Sequence, residues 1–209
     1  KIPALGNFLG VLRNSGERIT LSDHTGETID SVKYADRLPW PVGADGCSAS
    51  LERICPTASS EAINWASAPL PSDGRNPTGT PGRQNATYFV NLPPAISNVT
   101  FQPTNPKPDE SITVQAKVIG KGKVTLLYRV AKSGHVGDEV ELPMWIDTEA
   151  RNMYYKGVIP AHQSRSIVRF RIRAVGGDGA LRFQPDPNEP RPAYSVFIDA
   201  NTNSATIPI

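Results

Sequence analysis

Hydrophobic and polar side chains alternate along most of this chain in short runs that are separated by turn residues. The alternation is most regular at residues 112–118, 124–130 and 168–174, where an apolar side chain occupies every second position. A period of two is typical of β-strands that bury one face. Because no segment of ten or more residues shows a helical period, the pattern predicts an all-β protein.

The second half of the chain contains seven such runs. Besides the three above, they cover residues 96–101, 140–146, 155–159 and 194–198. Their count and spacing are those of an immunoglobulin-like β-sandwich. The sequence lacks the cysteine pair and the strand-C tryptophan of antibody domains, which favours a fibronectin type III-like variant.

The first half begins with a predicted β-hairpin. Ile19 and Leu21 lie on one face of its first strand, and the turn at residues 23–26 leads into a second strand that contains Val32. Ile29 is out of phase with Val32, which predicts a β-bulge near residues 30–31. The hairpin carries no residues with an evident catalytic role, so we interpret it as structural.

The first half also contains a short "SLERI" strand and two large candidate core residues, Trp40 and Trp65. These features favour a second, thin β-sandwich in the first half. The segment "NLPPAISNV" separates the halves, because two consecutive prolines make a stiff linker. The sequence therefore predicts two immunoglobulin-like modules in tandem, at residues 1–92 and 93–199. The first of them is expected to be incomplete. Residues 200–209 are the predicted tail or linker to a following domain.

The composition narrows the classes of partner. A hydrophobic content of 38% suits two thin sandwiches better than one large core. The formal charge of +2 is too small to require a polyanion, which disfavours nucleic acid as a partner. No run reaches the ~18–20 consecutive apolar residues of a transmembrane segment. The chain opens "KIPALGNF" without Met, which predicts a processed chain or a piece of a longer protein.

Two cysteines, Cys47 and Cys55, lie in "GCSASLERICP". A continuous strand at ~3.3 Å per residue would hold their sulfurs too far apart for a disulfide, so a bond requires the segment to fold back. The alternatives are that disulfide or two small buried thiols.

One surface feature suggests binding. In "SRSIVRFRIRA", Arg169, Arg171 and Arg173 occur at every second position and share the outward face of a strand. Lys121 and Lys123 precede another strand and could extend this cationic face. The face could bind an anionic glycan or wall polymer. Alternatively, the long arginine stems cover a solvated sheet and pair with acids on neighbouring strands.

The residues that could support catalysis are few. Ser22, Asp23 and His24 have the composition of a catalytic triad, but as sequence neighbours they cannot form its geometry. His135 and His162 fall in predicted loops. The carboxylates are dispersed without calcium-binding spacing, and no cysteine pair has zinc spacing. We therefore predict a protein without catalytic residues, metal or cofactor.

Residues 5–85 contain a specific combination of motifs. These are "LRNSGERITL", "G-x-x-ID-x-V-x-Y", "WP-x-x-ADG", "SLERI", "NWASA" and "GTPGRQN". In combination they resemble the C-terminal part of a bacterial lamin tail domain of the secreted type, whose fold is an immunoglobulin-like β-sandwich. The earlier strands of that family have no match here, so the first sandwich is expected to be incomplete, with an open edge for strand addition.

The second half contains "PPAISNVTFQPTNPKPDESITVQAKV", "VTLLYRV" and "YYKGVIPA". With these segments it resembles the sandwich modules of large secreted or surface bacterial proteins that often precede a CotH-like kinase domain. This resemblance implies an extracytoplasmic, non-catalytic module that positions neighbouring domains or contacts a protein or cell-surface polymer. Two alternatives remain open. One is a module that binds carbohydrate or anionic polymer through the arginine face and exposed loop aromatics such as Trp145. The other is a fragment of a CotH-like kinase protein that lacks the catalytic domain.

Overall fold

A computed structural model describes residues 10–73, 76–148 and 153–200. It contains fourteen strands in these ranges and no α-helix, only a 3₁₀ turn at Ala62–Asn64. The predicted all-β class is therefore confirmed. The strands are β1 (Arg18–Ser22), β2 (Thr28–Lys33), β3 (Leu51–Arg53), β4 (Trp65–Ser67), β5 (Ala95–Gln102), β6 (Ile112–Ile119), β7 (Gly122–Lys132), β8 (His135–Val136), β9 (Val140–Pro143), β10 (Trp145–Ile146), β11 (Tyr154–Ile159), β12 (Ser166–Gly176), β13 (Leu181–Gln184) and β14 (Tyr194–Ile198).

The chain divides into two compact units. The first unit extends to Leu92 and also includes Asp186–Arg191, whereas the second comprises Pro93–Pro185 and resumes at Pro192. Residues 186–191 were predicted to lie in the second module but belong to the first unit, because membership of a unit depends on contacts that the sequence pattern does not show. Of the predicted tail, only Ala200 lies within the described residues.

The second unit is a β-sandwich of two antiparallel sheets. One sheet has the order β10-β11-β6-β5, and the other has the order β13-β12-β7-β8, with β14 paired to β12 and β9 paired to β7. The alternating apolar side chains of β6, β7 and β12 point between the sheets and form the core. β11 and β14 contribute to the same core, whose largest fully buried side chains are Phe170, Ile112, Leu126, Ile159, Ile172 and Ile198.

The predicted single strand at residues 140–146 is in fact two strands in different sheets. Val140–Pro143 pairs with β7, whereas Trp145–Ile146 pairs with β11 in the opposite sheet. Met144 lies between them and is buried, so the chain changes sheets where this side chain enters the core. Gly157 on β11 makes room for it, since a Cβ there would lie 3.0 Å from Met144 Cγ. Alternation continues through such a crossing and cannot reveal it.

The first unit has two separate two-stranded ladders, β1-β2 and β3-β4. In the hairpin the extra residue is Ile29, because Leu21 faces Asp30 while Ser22 faces Thr28. The bulge was thus predicted one residue too late. Trp40 is buried, and its ring centroid lies 6.1 Å from that of Trp65. The two rings therefore lie close together, as predicted for two core residues. No third strand joins either ladder within the described ranges, so these residues of the first unit do not form a complete sandwich.

Candidate functional site

The predicted cationic face lies on the outside of the larger sheet of the second unit. On β12 the core side chains Phe170 and Ile172 point inward, so Arg169, Arg171 and Arg173 point outward. Both Nη2–Oε distances from Arg171 to Glu139 are short, at 3.1 and 3.0 Å. The arginines therefore face acids on the same sheet surface.

A second ion pair continues this pattern. Arg173 Nη2 lies 2.7 Å from Oε2 of Glu141, a residue of the edge strand β9. Leu127 faces Arg171 in the adjacent strand, and although it points outward it is only 1% exposed. Arg171 also lies over the Phe183 ring, 4.7 Å from its centroid. Arg171 and Arg173 are thus both paired with acids, and Arg171 also covers apolar surface.

The remaining predicted cations are more accessible. Arg169 is exposed, and its guanidinium group has no hydrogen bond or ion pair with any described residue. Lys123 is exposed and alternates with inward-pointing Val124, which places it on the same outward face. Lys121 is exposed in the turn between β6 and β7. Arg129 on β7 lies on the same face and shares Glu139 with Arg171, so among the described residues the cations of this face without an acidic partner are Arg169 and the lysines.

Trp145 belongs to an edge strand and not to a loop, which corrects the sequence interpretation. Its side chain is 50% exposed, and it faces Lys156 across the β10-β11 ladder. Lys156 alternates with core-facing Tyr155 and therefore points outward from the smaller sheet. Trp145 and the arginine face thus lie on opposite outer surfaces of the sandwich and cannot form one binding site.

The motif segments of the first unit meet in a buried polar frame. Glu52 of "SLERI" is 3% exposed, and its carboxylate accepts hydrogen bonds from the Thr80 and Thr87 hydroxyl groups. Asn85 donates from Nδ2 to the carbonyl oxygen of Arg53 over 2.9 Å. These bonds join "GTPGRQN" to β3. The motif residues are therefore used to hold loops, because buried polar groups need partners.

The β1-β2 hairpin is held to this frame through the side chain of Asp30. Asp30 on β2 accepts a hydrogen bond from Arg53 Nη1 over 2.5 Å and another from the Ser60 hydroxyl group over 3.3 Å. The Arg53 contact, followed by the backbone N–H of Ser31 and the Ser60 hydroxyl group, lowers the pKa of the Asp30 carboxyl despite an opposing effect of desolvation. This explains the polar residue in an otherwise alternating strand.

Of the triad-like residues, Ser22 ends β1, and Asp23 and His24 lie in the turn that follows. Asp23 Oδ1 accepts hydrogen bonds from the N–H of Thr25, its hydroxyl group and the N–H of Glu27. The Thr25 hydroxyl group is the main cause of the lowered pKa of this carboxyl. The carboxylate therefore fixes the turn, and His24 beside it is exposed.

The other two histidines also lack catalytic partners. His135 is exposed on β8, and the His162 ring centroid lies 5.6 Å from that of Tyr128. Burial lowers the pKa of His162. In the described part of the chain, no histidine is hydrogen-bonded to a serine, cysteine or carboxylate. The same ranges contain no group of three metal-ligating side chains.

Both cysteines are free thiols, so the disulfide considered for Cys47 and Cys55 is not formed in the structure. Cys55 is buried, and its Sγ donates to the carbonyl oxygen of Val90 over 3.1 Å. The Thr57 hydroxyl group is the main cause of the lowered pKa of the Cys55 thiol. Cys55 thus has a packing role in the first unit.

One site in the first unit was not predicted from the sequence. The backbone N–H groups of Val42 and Gly43 both donate to Oε2 of Glu189 over 3.0 Å, and the Ser67 hydroxyl group donates to Oε1 over 2.9 Å. We call these three donors the carboxylate nest, since adjacent N–H groups form an anion-binding concavity. Two donor residues come from the "WP-x-x-ADG" motif and the third from "NWASA", but nothing in the sequence indicates their partner.

The nest holds its carboxylate without a cation. Burial raises the pKa of Glu189, the hydrogen bonds from Ser67, Val42 and Gly43 offset part of this rise, and the charge of Asp186 adds to it. Gly43 is essential to the geometry, because a Cβ there would lie 2.7 Å from both Asn188 O and Ser67 Oγ. The nest thus binds a carboxylate by dipoles alone.

The raised pKa predicts how stability depends on pH. The folded state binds the Glu189 proton more tightly than the unfolded state, so the wild type loses stability as pH rises from about 4.5 through the folded-state pKa. Glu189→Gln has no such titration, since its amide oxygen can accept from the nest N–H groups while its Nε2 donates to Ser67. Thermal unfolding of both proteins between about pH 4 and pH 8 should show the variant gaining on the wild type as pH rises. A difference that stays constant with pH would contradict this assignment.

These features define an all-β protein with one complete immunoglobulin-like sandwich and one incomplete β unit. No helix among the described residues is long and apolar enough to span a membrane. Comparison of the chain with models of protein families gives no match, and comparison with curated proteins finds none that is similar.

Proposed function

We propose that the chain is a non-catalytic, extracytoplasmic module that positions neighbouring domains or contacts a protein or polymer at a bacterial cell surface. The observation that supports this proposal best is the internal use of the motif residues in the first unit. Glu52, Asn85 and Asp30 are each hydrogen-bonded within the fold and hold loops or strands in place. The motif resemblance to a secreted lamin tail domain supplies the proposed location.

The incomplete first unit suggests how a partner could attach. The β1-β2 ladder has no third strand at either edge among the described residues. An unpaired edge presents N–H and C=O groups that an extended segment of another protein can complete. Strand addition is therefore the proposed mode of contact for this unit.

Binding of an anionic polymer is the second candidate, and the exposed Arg169 and Lys123 on one face favour it. The alternative roles of this face can be separated by substitution. We expect Arg171→Gln combined with Arg173→Gln to lower the free energy of unfolding by about 1–2 kcal/mol, because two partly buried ion pairs and the cover of Leu127 are lost.

Arg169→Gln is the matched control, since this exposed arginine makes no bond to a described residue. It should leave the melting temperature within about 1 °C of the wild type, as surface substitutions usually do. Retention on immobilised polyanion at physiological salt is the second measurement. If the wild type is retained and Arg169→Gln is released, the polymer-binding role replaces the scaffold. Nucleotide binding by the chain would instead favour the kinase-protein alternative.

A further inference from the structure

Next to the carboxylate nest, the backbone carbonyl group of Ser67 binds a second side chain of the segment that carries Glu189. Asn188 donates from Nδ2 to the carbonyl oxygen of Ser67 over 3.0 Å, while the Ser67 hydroxyl group donates to Glu189. Ser67 is fully buried at the end of β4. Two consecutive side chains of one segment thus contact the side chain and the backbone of the same residue.

The segment Asp186–Arg191 has the properties of a short recognition peptide. Pro187 and Pro190 flank the Asn188–Glu189 pair, and a proline has no N–H to donate to a β-ladder. The segment can therefore dock through side chains without joining the sheet. Prolines also restrict the unbound conformations of a peptide, so that less entropy is lost when it binds.

The bonds that hold the Glu189 carboxylate in the nest allow another carboxylate to replace it. The Glu189 carboxylate is only half-buried, burial raises its pKa, and no cation of the described residues forms an ion pair with it. A ligand held by three hydrogen bonds without an ion pair can be replaced by another of the same chemistry.

We propose that the carboxylate nest is a recognition site for extended peptides that carry an Asn-Glu pair between prolines, and that Asp186–Arg191 occupies it within the chain. The nest N–H groups and Ser67 bind the glutamate, and the Ser67 carbonyl oxygen binds the asparagine amide. This role goes beyond the scaffold function and can fail without affecting it.

The test uses the full chain with its own segment removed from the nest. Asn188→Ala combined with Glu189→Ala vacates the site, and a dye-labelled peptide "QPDPNEPRPA" is titrated in a fluorescence polarisation assay. We expect the vacated variant to bind the peptide at least ~10-fold more tightly than the wild type, where the resident segment competes. The same peptide with alanine in place of glutamate should not bind.

Two variants make the result specific. Gly43→Ala added to the vacated variant should abolish binding, because its Cβ occupies the space of the incoming segment. Glu61→Ala, an exposed glutamate of the same unit, should bind the peptide as weakly as the wild type does. A vacated variant that unfolds cooperatively but does not bind the peptide would overturn the proposal.

A second measurement applies if the vacated variant does not fold. Excess peptide added to the wild-type chain should then shift the amide resonances of Val42 and Gly43, and the absence of any shift would overturn the proposal. Sedimentation of the wild type at increasing concentration identifies the source of the peptide. A dimer that Glu189→Ala prevents indicates the segment of a second copy, whereas a monomer that binds the peptide indicates a different protein.

Discussion

Phe170→Ala is expected to lower the free energy of unfolding of the second unit by about 3–5 kcal/mol, the usual cost of removing a fully buried phenylalanine. Phe170 is 1% exposed. Its ring packs edge-on against Phe101, with centroids 5.4 Å apart, and stacks on Tyr194 at 5.2 Å. The substitution therefore removes contacts with both sheets and leaves a cavity between them.

Urea unfolding followed by circular dichroism measures this loss, and hydrogen exchange of the β6 and β12 amides assigns it to the second unit. Phe197→Ala is the matched control, because Phe197 lies on the neighbouring strand β14 with its side chain 51% exposed. We expect the control to cost less than about 1 kcal/mol. Similar losses in both variants would mean that the core does not lie between the sheets as described.

Asn64→Ala is expected to lower the free energy of unfolding of the first unit by about 2–3 kcal/mol. Asn64 is fully buried, and its Oδ1 accepts from the N–H of Cys55 over 2.8 Å. Its Nδ2 donates to the carbonyl oxygens of Cys55 and Ser59, both over 2.8 Å. Alanine leaves the buried N–H of Cys55 without this acceptor, and an unsatisfied buried group costs about 1–3 kcal/mol.

Tryptophan fluorescence can report on the first unit alone. The chain has three tryptophans, and in a Trp145→Phe background only Trp40 and Trp65 remain, both in the first unit. Asn14→Ala, at an exposed turn position of the same unit, is the control and should change the unfolding free energy by less than about 0.5 kcal/mol. If Asn64→Ala unfolds at the same urea concentration as this control, the buried amide does not organise the "NWASA" segment.

The two units differ in how their stability arises. The second unit has a continuous core between two sheets, in which side chains from β6, β7 and β12 interlock. The first has short ladders, and buried polar side chains such as Glu52 and Asn64 connect its loops. Polar frames of this kind depend on every partner being present, because each buried group that loses its partner is costly. The first unit should therefore be the more sensitive of the two to single polar substitutions.

Period-two alternation by itself determined the all-β class and most strands of the second unit, because a strand that buries one face must alternate. It also placed Arg169, Arg171 and Arg173 on one outward face. It left open whether these arginines pair with acids on neighbouring strands and did not identify Glu139 and Glu141 as the partners, because the pairing of β7 with β9 and β12 depends on the whole sheet.

Only the tertiary structure decided where long-range contacts form. The chain changes sheets at Met144 without interrupting the alternation, so the predicted strand at residues 140–146 contained no sign of the crossing. The carboxylate nest joins Val42 and Gly43 to Glu189, which is 146 or more residues away along the chain. Two of its three donors are backbone N–H groups, which every residue except proline possesses, and these two therefore leave no mark in the sequence. Local periodicity specifies strands and their buried faces, whereas the meeting of distant polar groups depends on how the completed fold packs.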